Sequence, residues 1–368
     1  MIVHLFEDQK FVDVTIDNFE NISKGKSRYI VFSDSTLLKY VSKVDQVEIL
    51  ANSCKELNID SILKDCKLLI IHSLSPLKLY ILKRTSKNIT VVWSVWGADA
   101  YPYFHKKNLY EPLTDKVERS SIRQLIKSTF IYNIYHFHKY RVFPVNKETG
   151  TLKKINYLIT VLPHEYELVK NEFQLRAKYL DYNYGINRFN EQNFPQLGDS
   201  VLLGNSSDYS NNHLDIFEFI KDCDKKLIVP LSYAGYRSYR DLVIKEGDKI
   251  FNTLFNPILE FIPLEKYNQL ILSCNSVIMY HIRQQALGNI FMSLFQGMRV
   301  FLNKKSITYK YMQDVGMIIF DLENDVDLVG VELQEKQKIK NRELVIKLRG
   351  EKIIINKTQE IYKLYNTL

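Results

Sequence analysis

Short β-branched runs alternate along this chain with helix-length amphipathic segments, which confines it to mostly parallel sheets flanked by helices. Residues 67–72, 88–93 and 156–161 read as buried strands, and 47–63 carries helical spacing. The polar stretch 187–199, with Asn193, Pro195 and Gly198, interrupts the rhythm and is the expected linker. Beyond it, residues 200–203, 227–230, 276–279, 299–302 and 317–320 read as further strands. The simplest architecture is α/β, with two doubly wound domains whose parallel sheets face a cleft. Residues 1–190 form the first domain and 199–340 the second. In the remaining segment, 341–368, Ile361, Leu364 and Leu368 share a helical face that can pack back on the first domain.

A chain of 368 residues, 46% of them hydrophobic, is long enough to give each domain its own core. Its 50 basic and 42 acidic residues leave a net charge of +8, which favours acidic partners: phosphates, anionic lipid or nucleic acid. Cys54, Cys66, Cys223 and Cys274 form no CxxC pair, so neither a zinc site nor a disulfide framework is expected. No span is apolar for long enough to cross a bilayer, and Met1-Ile2-Val3-His4 opens a strand-like run with no basic leader, which predicts a cytoplasmic protein.

Four segments can carry chemistry. At Arg283-Gln284-Gln285, an apolar strand ends and turns at Gly288 into a helix, placing a guanidinium, two amides and free backbone N–H groups where α/β proteins bind ligands. A phosphorylated sugar suits that set. Gly204-Asn205-Ser206-Ser207-Asp208 is a small polar turn between strand and helix that either donates to phosphate oxygens or simply caps the helix. It has no Walker lysine, so nucleotide hydrolysis is not indicated. Together the two segments can neutralise a diphosphate without a metal ion.

Residues 93–101 hold both tryptophans and Asp99 after a first-domain strand. Aromatic faces and a carboxylate suit a sugar, and they equally suit a packed corner in which Asp99 caps a helix. His72 ends the neighbouring strand. Residues 122–141 carry Arg123, Lys127, Lys139 and Arg141 among five aromatics and no acid, a composition that fits either an anionic membrane surface or a core-facing helix. Nucleic acid is not an expected partner, because no binding module accompanies the patch.

Taken in order, Trp93-Ser94-Val95-Trp96-Gly97-Ala98-Asp99, the stretch from Gly204 to His213, Val229-Pro230-Leu231-Ser232-Tyr233 and Arg283-Gln284-Gln285-Ala286-Leu287-Gly288 resemble the bacterial TDP-N-acetylfucosamine:lipid II N-acetylfucosaminyltransferases of enterobacterial common antigen synthesis. The resemblance spans residues 65–325 and implies a glycosyltransferase-B fold of two Rossmann-like domains. It implies transfer of 4-acetamido-4,6-dideoxygalactose from thymidine diphosphate to a saccharide on polyprenyl diphosphate, at the inner leaflet of the cytoplasmic membrane. The second domain binds the donor and the first the acceptor, with no cofactor or metal.

On this reading Gly204, Asn205, Ser206, Arg283 and Gly288 hold the diphosphate, Ser232 and Tyr233 lie near the base, and Gln284 and Gln285 contact the donor sugar. Asp99, or His72 in second place, accepts the proton of the acceptor hydroxyl. A nucleotide-sugar 2-epimerase of the same fold, a non-catalytic nucleotide-sugar-binding module and a membrane-associated scaffold stay open beside it.

Overall fold

Thirteen parallel strands, in two separate sheets, carry the chain in a computed structural model that describes residues 1–104, 109–120, 130–185 and 193–368. The first sheet contains β1 (Ile2–Glu7), β2 (Ser27–Phe32), β3 (Glu48–Leu50), β4 (Leu68–His72), β5 (Thr90–Val95), β6 (Tyr157–Thr160) and β7 (Lys178–Tyr179), in the order β3-β2-β1-β4-β5-β6-β7. The second contains β8 (Ser200–Leu203), β9 (Leu227–Pro230), β10 (Phe255–Ile258), β11 (Cys274–Met279), β12 (Arg299–Leu302) and β13 (Phe320–Asp321), in the order β10-β9-β8-β11-β12-β13. The chain divides into two units: Met1–Lys106 with Ile126–Asn187 and Arg349–Leu368, and Lys107–Leu125 with Arg188–Leu348.

In the first unit the period-2 alternation of strand side chains sorts the core into two layers. Val3, Leu5, Leu69, Ile71, Val91 and Trp93 pack on one face of the sheet. Ile2, Phe6, Leu68, Ile70 and Val92 pack on the other, where the helix Glu351–Asn366 adds Ile361 and Tyr362. The Tyr362 hydroxyl lies 3.2 Å from the carbonyls of both Phe19 and Ser23. Burial on both faces explains why these strands read as continuous apolar runs.

Two local expectations fail. Residues 47–63 form the edge strand β3 and a single helical turn, Ile59–Ile62, capped by Asn58, which accepts from the Ser61 N–H. β2 recruits residues 48–50 as a parallel partner, and pairing outweighs a weak helical period. Within 317–320 only Phe320 is in a strand, because the Asn341 side chain accepts from the Ile318 N–H at 2.7 Å and donates to its carbonyl at 2.9 Å. That amide takes the place of a strand neighbour at Ile318.

The linker expected at 187–199 lies partly outside the described residues. Where the chain is described again, the Gly198 N–H donates to Leu272 O, and a Cβ on Gly198 would fall 2.2 Å from the Ser273 carbonyl oxygen. Residues 109–120, within the stretch read as the first domain, pack on the second unit. Asp215 accepts from the N–H groups of Leu113 and Thr114, and Asn212 accepts from Glu111 N–H. Lys305 and Asn303 hold the Glu111 carboxylate.

In the second unit the helix Arg237–Phe251 packs at Gly247 on the ring of Phe255, where an added Cβ would come within 2.4 Å of two ring carbons. Phe255 cannot swing aside, since Phe217 meets it edge-on in the core. Gly247→Ala is therefore expected to destabilise the protein by about 1–3 kcal/mol of overpacking, against about 1 kcal/mol gained in helix propensity. A lower calorimetric melting temperature is the expected result; an unchanged or raised one would contradict this packing account.

Candidate functional site

Strand order locates the ligand end of the second unit before any side chain is considered. The chain runs outward from β8 through β9 to β10, then crosses back and runs the other way from β11 to β13. The loops after β8 and β11 therefore diverge, and in open parallel sheets ligands bind at such a switch point, beyond the carboxyl ends of the strands. Gly204 to Asp208 follow β8, and Tyr280 to Ala286 follow β11.

The β11 side presents a helix start without a side-chain cap. The nine-residue helix Leu287–Phe295 starts after Ala286, which sits in the left-handed region at φ +57° and offers no side-chain cap. Its first-turn N–H groups thus lack intrahelical acceptors. Gly288 has open space where a Cβ would stand. Arg283 lies beside this helix start in sequence, with Nη2 3.6 Å from Asp208 and 3.3 Å from the Ser210 hydroxyl, while its buried Nε has no partner. Gln284 is also buried, and its Oε1 is unpartnered. A buried donor and a buried acceptor left unsatisfied at a helix start are what a polar anionic ligand would complete.

The β8 side is a scaffold. Gly204 adopts φ +68°, and its N–H donates to Ile278 O. The Asn205 N–H donates to Asn211 Oδ1, and the Ser207 N–H to Tyr233 O. The buried Ser206 hydroxyl accepts from Asn211 Nδ2. These groups, expected to face phosphate, are committed to the protein. The second helix start expected here is also altered: Asp208 caps a single 3₁₀ turn, Tyr209–Asn211, and the helix proper, His213–Phe219, begins only afterwards. A carboxylate therefore stands where a free helix terminus was foreseen, and Arg283 balances it.

Asn211 joins the two sides. Its amide donates to Ser206 Oγ and to the carbonyl of Asp208, and its Oδ1 accepts from Asn205 N–H and from His281 Nε2 at 3.0 Å. His281 thus carries its proton on Nε2. Gln285 also bridges the loops, donating to Asn205 Oδ1 at 3.0 Å with Oε1 2.7 Å from the Ser210 hydroxyl. After β9, Ser232 and the Tyr233 ring are exposed. Gly235 touches Ser207 so closely that a Cβ would fall 2.0 Å from its carbonyl oxygen.

In the first unit the corresponding switch point lies between β1 and β4. His72, at the end of β4, is buried with Nε2 3.0 Å from His4 Nδ1 and Nδ1 2.6 Å from the Tyr184 hydroxyl. That hydroxyl also accepts from Trp96 Nε1 and lies 2.9 Å from Ser94 Oγ. Asp99 is buried too, accepting from Leu74 N–H, Trp93 Nε1 and Trp96 N–H at 2.7–2.9 Å. Burial raises its pKa against the pull of these three donors. Both residues expected to take a proton therefore have their polar atoms engaged, and in this geometry they hold the ends of β4 and β5 in place.

Sequence reading passed over Asn211, His281, Tyr184 and the fully buried Lys78, which binds Glu7 and the carbonyls of His72 and Ser73. Only the Asn-Asn-His run at 211–213 gave any local signal. Among the described residues no group of three or more His, Cys, Asp or Glu is placed to hold a metal ion. All four cysteines are free thiols.

The whole chain superposes on solved glycosyltransferase-B structures. Sucrose-phosphate synthase from Thermosynechococcus elongatus matches 100% of this chain and 99% of its own at TM-score 0.66 and 11% identity. HepE of Anabaena, in complex with UDP and glucose, matches 100% of both chains at 0.66 and 10%. The N-terminal domain of trehalose-6-phosphate phosphatase from Candida albicans matches 98% and 95% at 0.61 and 9%. Curated proteins show no match by sequence. With this fold and a family match, the chain is a nucleotide-sugar-dependent glycosyltransferase of the glycosyltransferase-B type. The match, over residues 170–346, is to glycosyl transferase group 56, 4-alpha-L-fucosyltransferase, consistent with the fucosaminyltransferase resemblance of the motifs. It contains every residue expected at the donor and begins well after His72 and Asp99.

His213 and His281 are buried beside the β8 loop, and neither ring nitrogen of His213 has a partner. Burial lowers the His213 pKa to about 3 and that of His281 well below 6.5, the latter helped by Arg283. The unfolded chain binds a proton at His213 below pH 6.5 that the folded one refuses until about pH 3. Stability is thus full above 6.5 and falls as pH drops through that window. By pH 5 the loss through His213 alone should be about 2 kcal/mol. Glu165 in the first unit, its carboxyl pushed up to about 7 by burial, titrates with the opposite sign. Urea unfolding of wild type and His213→Gln at pH 7.5 and 5 separates the two. The variant should lose less stability on acidification, and parallel losses would refute the assignment.

Proposed function

We propose that this chain transfers a 4-acetamido-4,6-dideoxyhexose of the N-acetylfucosamine type from thymidine diphosphate to a saccharide carried on polyprenyl diphosphate, at the inner face of the cytoplasmic membrane. The second unit takes the donor and the first the acceptor. One observation carries the reading: an uncapped helix start at Leu287, opened by Gly288 and adjoined by Arg283 and Gln284, whose buried polar atoms lack partners. The group 56 match and the motif resemblance support the donor class. HepE, a structural neighbour, is a UDP-sugar complex, which supports a nucleoside diphosphate carrier in general.

In the proposed reaction the acceptor hydroxyl oxygen bonds to the anomeric carbon as the bond from that carbon to the diphosphate oxygen breaks. Thymidine diphosphate leaves with the electron pair. Arg283 and the first-turn N–H groups of Leu287–Phe295 receive the charge that develops on the leaving diphosphate, as preorganised donors do in water-poor sites. Arg283 leaves Asp208 for the phosphate oxygens, while Gln284 Oε1 accepts from a sugar hydroxyl or acetamido N–H. The exposed Tyr233 ring and Ser232 lie toward the base. Asp99 and His72 act as positioning residues, and the hydroxyl proton passes to a phosphate oxygen of the donor.

Calorimetric titration with thymidine and uridine diphosphates, followed by a panel of their sugars with a lipid-linked acceptor, tests this. Arg283→Ala should weaken thymidine diphosphate binding by roughly 10- to 100-fold, the worth of a charge-assisted hydrogen bond, and slow transfer with it. Unchanged affinity in that variant would remove the β11 loop from the donor site. Product formed from donor alone would favour an epimerase instead.

A further inference from the structure

The first unit carries an exposed face that the donor site does not explain. The helix Phe130–Tyr140 is seated by His136, which is buried and donates from Nδ1 to Val142 O, and by Tyr140, which packs on the core. Its other side turns Ile134, Tyr135 and Phe137 to solvent, 39–57% exposed. Phe143, just beyond the helix and 40% exposed, stacks on Phe137 with ring centroids 4.8 Å apart. Four large apolar side chains in one stretch form a patch that a soluble surface seldom keeps without use.

Charge identifies what covers it. From 133 to 147 the exposed residues include Lys139, Arg141 and Lys147 and no acid, and Glu148, which follows, is buried and bound by Lys83. The last turn of the neighbouring helix Pro76–Arg84 adds an exposed Arg84, and the Cys54 thiol lies within the field of both Arg84 and Arg141. Aromatic and aliphatic side chains ringed by cations match the headgroup boundary of an anionic bilayer: apolar groups enter the acyl margin while lysine and arginine meet lipid phosphates.

We infer that this face, centred on Ile134, Tyr135, Phe137 and Phe143 and flanked by Lys139 and Arg141, docks the first unit on an anionic membrane surface. It deepens the reading of a lipid-linked acceptor and rests on it for its purpose. Vesicle binding, however, is measured without donor or acceptor and so succeeds or fails separately from transfer.

The full chain is sedimented with vesicles of phosphatidylcholine alone and of phosphatidylcholine with phosphatidylglycerol. Wild type should partition onto the anionic vesicles and release with added salt. Lys139→Gln with Arg141→Gln should lower that partition by about tenfold, and Ile134→Ser with Phe137→Ser by on the order of a hundredfold, with melting temperature and thymidine diphosphate binding unchanged. Because the charge variant alters only exposed side chains, it keeps the test open if the apolar one fails to fold. Wild type that ignores anionic vesicles overturns the inference, as do variants that partition like wild type. So does a self-association of wild type, seen in velocity sedimentation and lost with Ile134→Ser and Phe137→Ser, in the absence of vesicle binding.

Discussion

The side-chain amide of Asn211 makes all four hydrogen bonds open to it, and the ligand loops of the second unit take their shape from that saturation. Its two N–H bonds fold residues 206–208 back on themselves. Its oxygen holds the β8 loop through Asn205 and the β11 loop through His281. An amide so placed has no freedom to flip, since its nitrogen faces a carbonyl and its oxygen a backbone N–H. Removal would orphan a backbone N–H and an imidazole in the interior, each costing about 1–3 kcal/mol.

That scaffold concentrates what positive potential the site has on one side. With the β8 turn capped by Asp208 and its N–H groups engaged, that potential comes from the uncapped helix at Leu287 and the Arg283 guanidinium. His213 and His281 contribute no charge, because burial keeps both neutral. Asp208 provides Arg283 with a partner at 3.6 Å that a phosphate can displace. A longer, partly solvated ion pair is weak enough to exchange.

In the first unit buried polar groups do structural work at the strand ends. Tyr184, His72 and His4 link β1, β4 and the stretch after β7, while Asp99 ties Leu74 to the turn at Trp96. Lys78, without exposed surface, is stabilised by Glu7 and two carbonyls. Each group is satisfied at least in part, which is the condition for keeping charge or polarity inside a core.

Sequence alone determined the architecture, because burial on both faces of a parallel sheet leaves continuous apolar runs, and a run such as Leu68–His72 needs no distant information to be recognised. It also marked Arg283 and Gln284, since a guanidinium and an amide directly after such a run stand at the ligand end of a sheet. What it could not give was employment. Asp99 and His72 were legible as chemistry at strand ends, but their partners Trp93, Leu74, His4 and Tyr184 are set by the fold. Residues 109–120 were read with their sequence neighbours and pack on the second unit, held by Asn212, Asp215 and Lys305. Propensity and spacing are local properties. Which lone pairs are filled, and which are left open, depends mostly on contacts between residues far apart in the chain, such as Asn211 with His281 and His72 with Tyr184, and only tertiary structure decides them.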